Sequence, residues 1–360
     1  MLRDFSSLKE RLAMARNRME NLRADDRDIV IFGTGNSSEL YIKCFAQERI
    51  QPIAYADNNS AKWGTLFHGV KVISPQEIKK SDLVLVCSSN MDTNTAICRQ
   101  LAGMGLDYML IDEYVLGLEA EAVLQNYERL CDEASKSLYA EIVCRRMDNE
   151  LDMGDLFTRH QYFALPKFAG FHSGRGEVFC DCGAYVGDTV EAYITERMGS
   201  FEKIYAFEPY GENFVSMQKR MERVVSEWNV SPEKIVMEHA GVGERSSHTN
   251  VSALGGGGLG AHVDHGSRGV EIPVYSIDDY FEHQKVDFIK ADIESYELEM
   301  LKGATDTIKR DVPKLAVSIY HNASDLYTII DFVARLDCGY HLAVRHHTPC
   351  FADTVLYAWK

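Results

Sequence analysis

The sequence predicts an α/β protein built from two doubly wound, Rossmann-like domains, the second ending in an antiparallel hairpin. Three observations carry this. Short apolar runs rich in Val, Ile and Phe alternate with helix-forming stretches along the 360 residues, as in parallel sheets covered by helices. A device of strand, glycine turn, helix, strand and acid occurs twice, from Gly33 to Asp57 and from Gly183 to Glu208, at nearly the same spacing. The last two apolar runs, Tyr340–Arg345 and Thr354–Trp359, have no helix between them. The boundaries follow as a first domain at 1–117, a helical linker at 118–150 and a second domain at 151–360.

Leu8, Leu12, Ala15, Met19 and Leu22 recur at helical spacing, so the N-terminal segment reads as a helix packed on the first domain or on a second copy of the chain. Strand Asp28–Phe32 leads into Gly33-Thr34-Gly35-Asn36-Ser37-Ser38. A helix follows to about Glu48, with Asn36 and Glu39 at the spacing of a capping box. Strands are predicted at Gln51–Ala56, Leu83–Cys87 and Tyr108–Ile111, with a helix near 95–104. Residues 118–147 contain no Gly or Pro and predict one long helix joining the domains. Residues 151–176 read as irregular. In the second domain, strands are predicted at Val178–Cys182, Ile204–Phe207, Ile235–His239, Val286–Asp292 and Lys314–Tyr320, before the hairpin. Helices fall at 188–198, with Asp188 and Glu191 as a second capping box, at 296–303 and at 326–336.

Composition narrows the function. A net charge of −16 repels phosphate backbones, which argues against nucleic acid as a partner. No apolar run approaches the ~20 residues of a membrane span, so no membrane partner is expected. Residues 1–20 lack the apolar core of a secretory signal, and the nine cysteines form no spaced framework, which points to a reducing, cytoplasmic setting. Cys180 and Cys182 have no second pair at zinc-ribbon spacing and read as small strand residues.

The segment Asp181-Cys182-Gly183-Ala184-Tyr185-Val186-Gly187-Asp188-Thr189 has a specific chemical use. Gly183 allows a sharp turn and close approach to a ligand, at the strand ends where open α/β sheets bind theirs. Glu208, followed by Pro209, ends the next strand and can accept hydrogen bonds from a ribose diol. The turn is Gly-x-x-x-Gly and lacks the closely spaced glycine that a pyrophosphate requires, and Asp181 suits a cationic ligand. S-adenosylmethionine (SAM), a sulfonium without phosphate, fits better than NAD. Ala240 and Gly241, after the third strand, are small enough to lie near an adenine edge. Gly255–Gly260 reads as a lid or an unconstrained loop.

Taken with Phe207-Glu208-Pro209, Asp287-Phe288-Ile289-Lys290-Ala291-Asp292-Ile293-Glu294 with Glu297, and Lys302-Gly303-Ala304, that segment resembles the FkbM family of methyltransferases. The likeness spans roughly residues 160–360. Lys314–His321 and Leu356–Trp359 extend it, and Ser295 stands where the family commonly has glycine. The resemblance implies a class I methyltransferase fold and SAM-dependent O-methylation of a sugar or natural-product hydroxyl.

A hydroxyl acceptor must lose its proton as it attacks, and a placed base gives about 10²–10⁴-fold. Lys290, Asp292 and Glu294 alternate near a strand end, where one face would carry all three. Asp292, Glu294 or His321 is the candidate base. Asp292 and His321, with neighbouring acids, are also the candidate ligands of a divalent metal that would acidify a diol. The competing readings are an ion pair between Lys290 and Asp292, and His346 and His347 as surface residues.

Gly33, Gly35, Asn36 and Asp57 form a partial dinucleotide fingerprint in the first domain, with Ser38 in the third glycine's place. With Lys62-Trp63-Gly64 and Val72-Ile73-Ser74-Pro75, this half resembles small Rossmann domains beside sugar-modifying enzymes. That resemblance implies a nucleotide or nucleotide-sugar pocket, against a docking role. Two rivals remain: an NAD-dependent oxidoreductase or epimerase, disfavoured because residues 1–117 hold no Tyr-x-x-x-Lys pair, and a nonenzymatic nucleotide-binding scaffold.

Overall fold

The structure is a computed structural model and describes residues 3–23, 27–150, 152–170, 176–253, 261–264 and 270–360. The chain divides into two compact units. The first comprises Met1–Phe157 with Tyr320–Tyr327 and Thr348–Ala352, and the second Thr158–Ile319, Thr328–His347 and Asp353–Lys360.

In the first unit the order is α1 (Phe5–Arg23), β1 (Ile29–Phe32), α2 (Asn36–Gln47), β2 (Pro52–Ala56), β3 (Leu66–Phe67), β4 (Val70–Ile73), β5 (Leu83–Val86), α3 (Met91–Gly103), β6 (Asp107–Leu110), α4 (Ile111–Leu118), α5 (Ala120–Arg129) and α6 (Glu133–Asp148). Its six-stranded sheet runs β3-β4-β2-β1-β5-β6 and is parallel except for β3. The central strands are continuous apolar runs, as a sheet covered on both faces requires; all four residues of β5 are buried. α1 packs on α4, α5 and α6 through Leu8, Leu12, Ala15 and Met19, all buried.

The long helix expected over 118–147 is instead broken. Leu130 is extended, and the Asp132 side chain caps α6 by accepting from the Ser135 N–H at 2.7 Å. These helices form the core around α1 inside the first unit, so they are not a linker. With neither Gly nor Pro present, only the capping pair Asp132–Ser135 marks the break.

The second unit contains β7 (Val178–Cys182), α7 (Asp188–Glu196), β8 (Lys203–Phe207), α8 (Gly211–Trp228), β9 (Ile235–Glu238), β10 (Gly241–Val242), β11 (Ser247–Ala253), β12 (Ala261–Asp264), β13 (Val270–Tyr275), α9 (Ile277–Phe281), β14 (Phe288–Ala291), α10 (Glu297–Lys302), α11 (Thr305–Asp311) and β15 (Lys314–Ser318). The chain ends with α12 (Asp325–Arg335), β16 (His341–His346) and β17 (Thr354–Trp359). The seven-stranded sheet runs β16-β17-β15-β14-β7-β8-β9; β17 is antiparallel to both of its neighbours, which gives the expected terminal hairpin. Rings of Phe179, Tyr193, Phe288 and Phe168 fill the core beneath it, Phe179 stacking on Tyr193 at 4.2 Å.

A four-stranded sheet, β10-β13-β11-β12, is inserted between β9 and β14 where the sequence suggested only a loop. The glycine run Gly255–Gly260 lies outside the described residues. Neither expected capping box forms. Gly35 and Gly187 occupy the cap positions of α2 and α7 without a side-chain cap, and Glu191 instead binds Arg220 and Arg223 at 2.7 and 2.6 Å.

Candidate functional site

In the second unit the strand order reverses about β7, between β8 and β14, and the Gly183 turn sits at that crevice. Gly183 has φ +80°, and a Cβ there would lie 2.0 Å from the Asp292 carbonyl oxygen, so no other residue fits. Its N–H and that of Ala184 both donate to the Phe207 carbonyl, at 3.0 and 2.9 Å. Gly187 has φ +79°, and a Cβ there would press on Met217 and Met221 of α8 at about 3 Å. The two glycines have different tasks: one lets the loop meet β14, the other lets α7 start against α8.

Strand register places Lys290 of β14 beside Asp181 of β7, and the side chains form a buried ion pair at 2.9 Å. Asp181, expected to face a cationic ligand, is wholly buried, and the cation it meets is Lys290. Burial pushes its carboxyl above the ordinary value against the pull of Lys290. Burial alone would lower the Lys290 ammonium, but the charges of Asp181 and Asp292 outweigh it and raise its pKa. Lys290 also donates to the Gly183 carbonyl at 2.6 Å and so fastens the loop from beneath.

Glu208 ends β8 and is 4% exposed. It accepts from the N–H groups of Tyr185 and Tyr210 at 2.9 and 2.8 Å, and from Asn213 Nδ2 at 3.4 Å. Among the described residues no cation is paired with it. Burial therefore wins over these donors, and its pKa is pushed up to about 7. The N–H of Tyr185 reaches it because Tyr185 takes φ +49°, a left-handed conformation unusual for a ring-bearing residue.

The flanking positions are ordinary. Thr189 and Ala240 are buried, and the Pro209 carbonyl is 3.1 Å from His239 Nε2. Gly241 pairs in β10 with Val274 of β13, and a Cβ there would make only ordinary contacts.

β14 ends at Ala291, so the alternation that would bring Lys290, Asp292 and Glu294 to one face stops short of the two acids. Glu294 and Ser295 both turn left-handed, φ +54° and +71°. Ser295 thus holds the backbone conformation for which glycine is favoured. Asp292 is half-buried and accepts from the Tyr162 hydroxyl at 2.6 Å; Gln161 Nε2 bonds that hydroxyl and Asp353 Oδ1, both at 3.0 Å. Tyr162 and Asp353 are left-handed as well, and such strain clusters at functional sites. The sequence carried no signal for Tyr162, which lies in a stretch read as irregular. Gly303 of the Lys302-Gly303-Ala304 motif is packing: a Cβ there would lie 2.2 Å from the Gly243 carbonyl.

His346 and His347 are buried, not on the surface. His346 Nδ1 is 2.9 Å from Thr354 Oγ1. His347 Nδ1 donates to the Thr158 carbonyl at 2.7 Å, and Nε2 accepts from the Tyr357 hydroxyl at 2.9 Å. Burial lowers the His347 pKa to about 4, so it is neutral at pH 7 and structural. Cys180 and Cys182 are likewise buried thiols, 3.7 Å apart.

The remaining candidates belong to the first unit. His321 is buried, stacks on Tyr320 at 4.1 Å, and lines a pocket with Ser37, Tyr41, Asn94, Asp112 and Arg146. Gly33 has φ +124° and its Cβ would strike the Cys87 carbonyl at 2.5 Å, whereas Gly35 has open space around it. Ser38 replaces the third glycine and donates to the Gly33 carbonyl at 2.9 Å. Asp57 is already occupied: it binds Lys62 Nζ at 3.0 Å, the Thr34 hydroxyl and the Asn59 N–H.

A mostly parallel seven-stranded sheet with one antiparallel strand beside its edge, and a glycine turn at its switch point, defines a class I methyltransferase fold. Residues 181–342 match the family model of the FkbM methyltransferase domain. Residues 25–111 match the model of the C2185-like N-terminal domain. The fold is similar to a methyltransferase FkbM from Methylobacillus flagellatus, with 21% identity, 99% of this chain and 100% of that chain covered, and TM-score 0.57. Looser likenesses join it to an rRNA methylase from Streptococcus thermophilus (13% identity, 51% of this chain and 85% of that one, TM-score 0.32) and to Aeropyrum pernix fibrillarin with bound S-adenosyl-L-methionine (15%, 51% and 66%, TM-score 0.30). No curated protein matches the chain. Among the described residues no helix is long and apolar enough to cross a membrane.

Proposed function

We propose that the protein is a SAM-dependent O-methyltransferase acting on a hydroxyl of a sugar, glycan or natural product. The observation that carries the donor is Glu208: a buried carboxylate held by backbone N–H groups, in no ion pair among the described residues, beside a turn whose glycine cannot bear a side chain. A ribose diol would add its hydroxyl donors to those of Tyr185, Tyr210 and Asn213 on this buried carboxylate. SAM would rest on Gly183, Ala184, Tyr185 and Gly187, with Glu208 on the ribose and Ala240–Gly241 toward the base; bound there, it supplies an electrophilic methyl group.

Asp292 is the base of this reading. It is half-buried at the end of β14 and oriented by the Tyr162 hydroxyl. Lys290 fastens the donor loop, and Glu294, two residues on from Asp292, is the alternative base. Nine free thiols favour a reducing, cytoplasmic setting. The first unit serves as an accessory domain, because Lys62 already satisfies the acid that would take a nucleotide ribose.

The test is transfer of a labelled methyl group from SAM to a panel of hydroxylated sugars and polyketide alcohols. Asp292→Asn should lower turnover about 10²–10⁴-fold while keeping SAM affinity. Full activity in that variant removes Asp292 as the base, and transfer to amine acceptors alone would overturn O-methylation.

A further inference from the structure

At the opposite end of the second unit's sheet, below the amino ends of β7, β14 and β15, lies a cavity of about 390 Å³. Lys167, Arg197, Lys285 and Lys314 line it together with only two acids, Glu177 and Asp287, which leaves two positive charges in excess. That local sign is opposite to the chain's net charge of −16.

The acids present do not neutralise the cations. Glu177 is shared: Arg197 Nε donates to it at 2.8 Å and Lys314 Nζ bonds its other oxygen. One half-buried carboxylate therefore serves two cations, the buried Arg197 and the half-buried Lys314. Asp287 accepts from Lys285, while its second oxygen takes the Val178 N–H at 3.0 Å. Lys167 is exposed and no acid is paired with it among the described residues. Burial lowers the Lys314 pKa despite the Glu177 contact. Arg197 and Lys314, both held by Glu177, fix the floor of the cavity, and the two outer lysines can swing toward whatever enters.

We propose that this cavity is an anion site for a compact dianion, the phosphoryl group of a small metabolite, separate from the methyl-transfer site. The dianion would balance the two excess charges, with Lys167 and Lys285 closing on it from the rim and Ser200 offering a hydroxyl. The proposal is independent of the methyl acceptor and of SAM binding.

Thermal unfolding of the full chain in pyrophosphate and in inorganic phosphate, each against NaCl at matched ionic strength, tests it. The expected result is a saturable rise in Tm, half-complete at millimolar concentration or below. Lys167→Glu with Lys285→Glu should weaken it about tenfold or more, a loss of about 1.4 kcal/mol or above. Lys219→Glu on α8, outside the cavity, should leave it intact. The single variants Lys167→Ala and Lys285→Ala supply the reading if the double variant does not fold. An equal rise in matched NaCl, or a phosphate response that survives removal of the rim lysines, overturns the site.

Discussion

The two glycine turns of this chain use one steric device for two purposes. Gly33 and Gly183 each lie where a Cβ would strike a carbonyl at the end of a neighbouring strand, that of Cys87 or Asp292. Each is followed by an acid at the end of the next strand, and there the turns part. Asp57 is paired with Lys62 and bonded by Thr34 and the Asn59 N–H; burial raises it, but those partners win and hold its pKa low. Glu208 has only neutral donors and its pKa is pushed up to about 7. The difference between the two acids is a paired cation: Lys62 holds Asp57 ionised, while burial raises the Glu208 carboxyl despite its neutral donors.

The sharpest way to break this comparison is Gly183→Ala. The added carbon cannot fit without moving the β14 end, so SAM binding should be lost, whereas Gly33→Ala should destabilise the first unit and leave SAM affinity unchanged. Equal effects on SAM binding, measured by calorimetry, would contradict the assignment.

Next in size is Glu208→Ala. Loss of charge-assisted hydrogen bonds worth about 1.5–3 kcal/mol predicts a SAM affinity about 10- to 100-fold weaker, while Asp57→Ala leaves it intact. The wild-type affinity should also rise with pH through about 7, because a ribose diol donates to the ionised carboxylate. An affinity flat between pH 6 and 8 would separate Glu208 from the ribose.

His347 sharpens the contrast from the structural side. Its folded pKa of about 4 lies below the unfolded value of 6.5, so its contribution is complete above pH 6.5 and is lost as pH falls toward 4. The loss is on the order of 3 kcal/mol at most. Denaturation of His347→Gln should show a weaker acid dependence over that window; an identical one would refute the burial argument.

The smallest effect is at Ser295. A left-handed L-residue costs about 1–2 kcal/mol, so the backbone share of Ser295→Gly favours glycine by about 1 kcal/mol at most, and Tm should change by no more than a few degrees. A lowered Tm would mean that the serine side chain contributes something beyond the turn.

Much of this was legible in the sequence because it depends on local chemistry. Gly183, Glu208 and the two mostly parallel sheets follow from strand periodicity and turn residues. What depends on register or distant neighbours was not. Lys290 faces Asp181 only because β14 pairs with β7 in one register, and Asp57 is silenced by a lysine whose reach no spacing rule gives. Tyr162 reaches Asp292 across 130 residues of sequence. The break between α5 and α6 lacks glycine and proline, and His346 and His347 looked exposed because they follow a strand whose burial depends on β17.

The central claim is that the second turn, not the first, holds the nucleoside. Calorimetric titration of the full chain with SAM, S-adenosylhomocysteine, NAD and UDP-sugars tests it most directly. The account predicts micromolar binding of SAM and S-adenosylhomocysteine that Glu208→Ala weakens and Asp57→Ala does not. Binding of NAD or a UDP-sugar that Asp57→Ala abolishes, with no response to SAM, would contradict it.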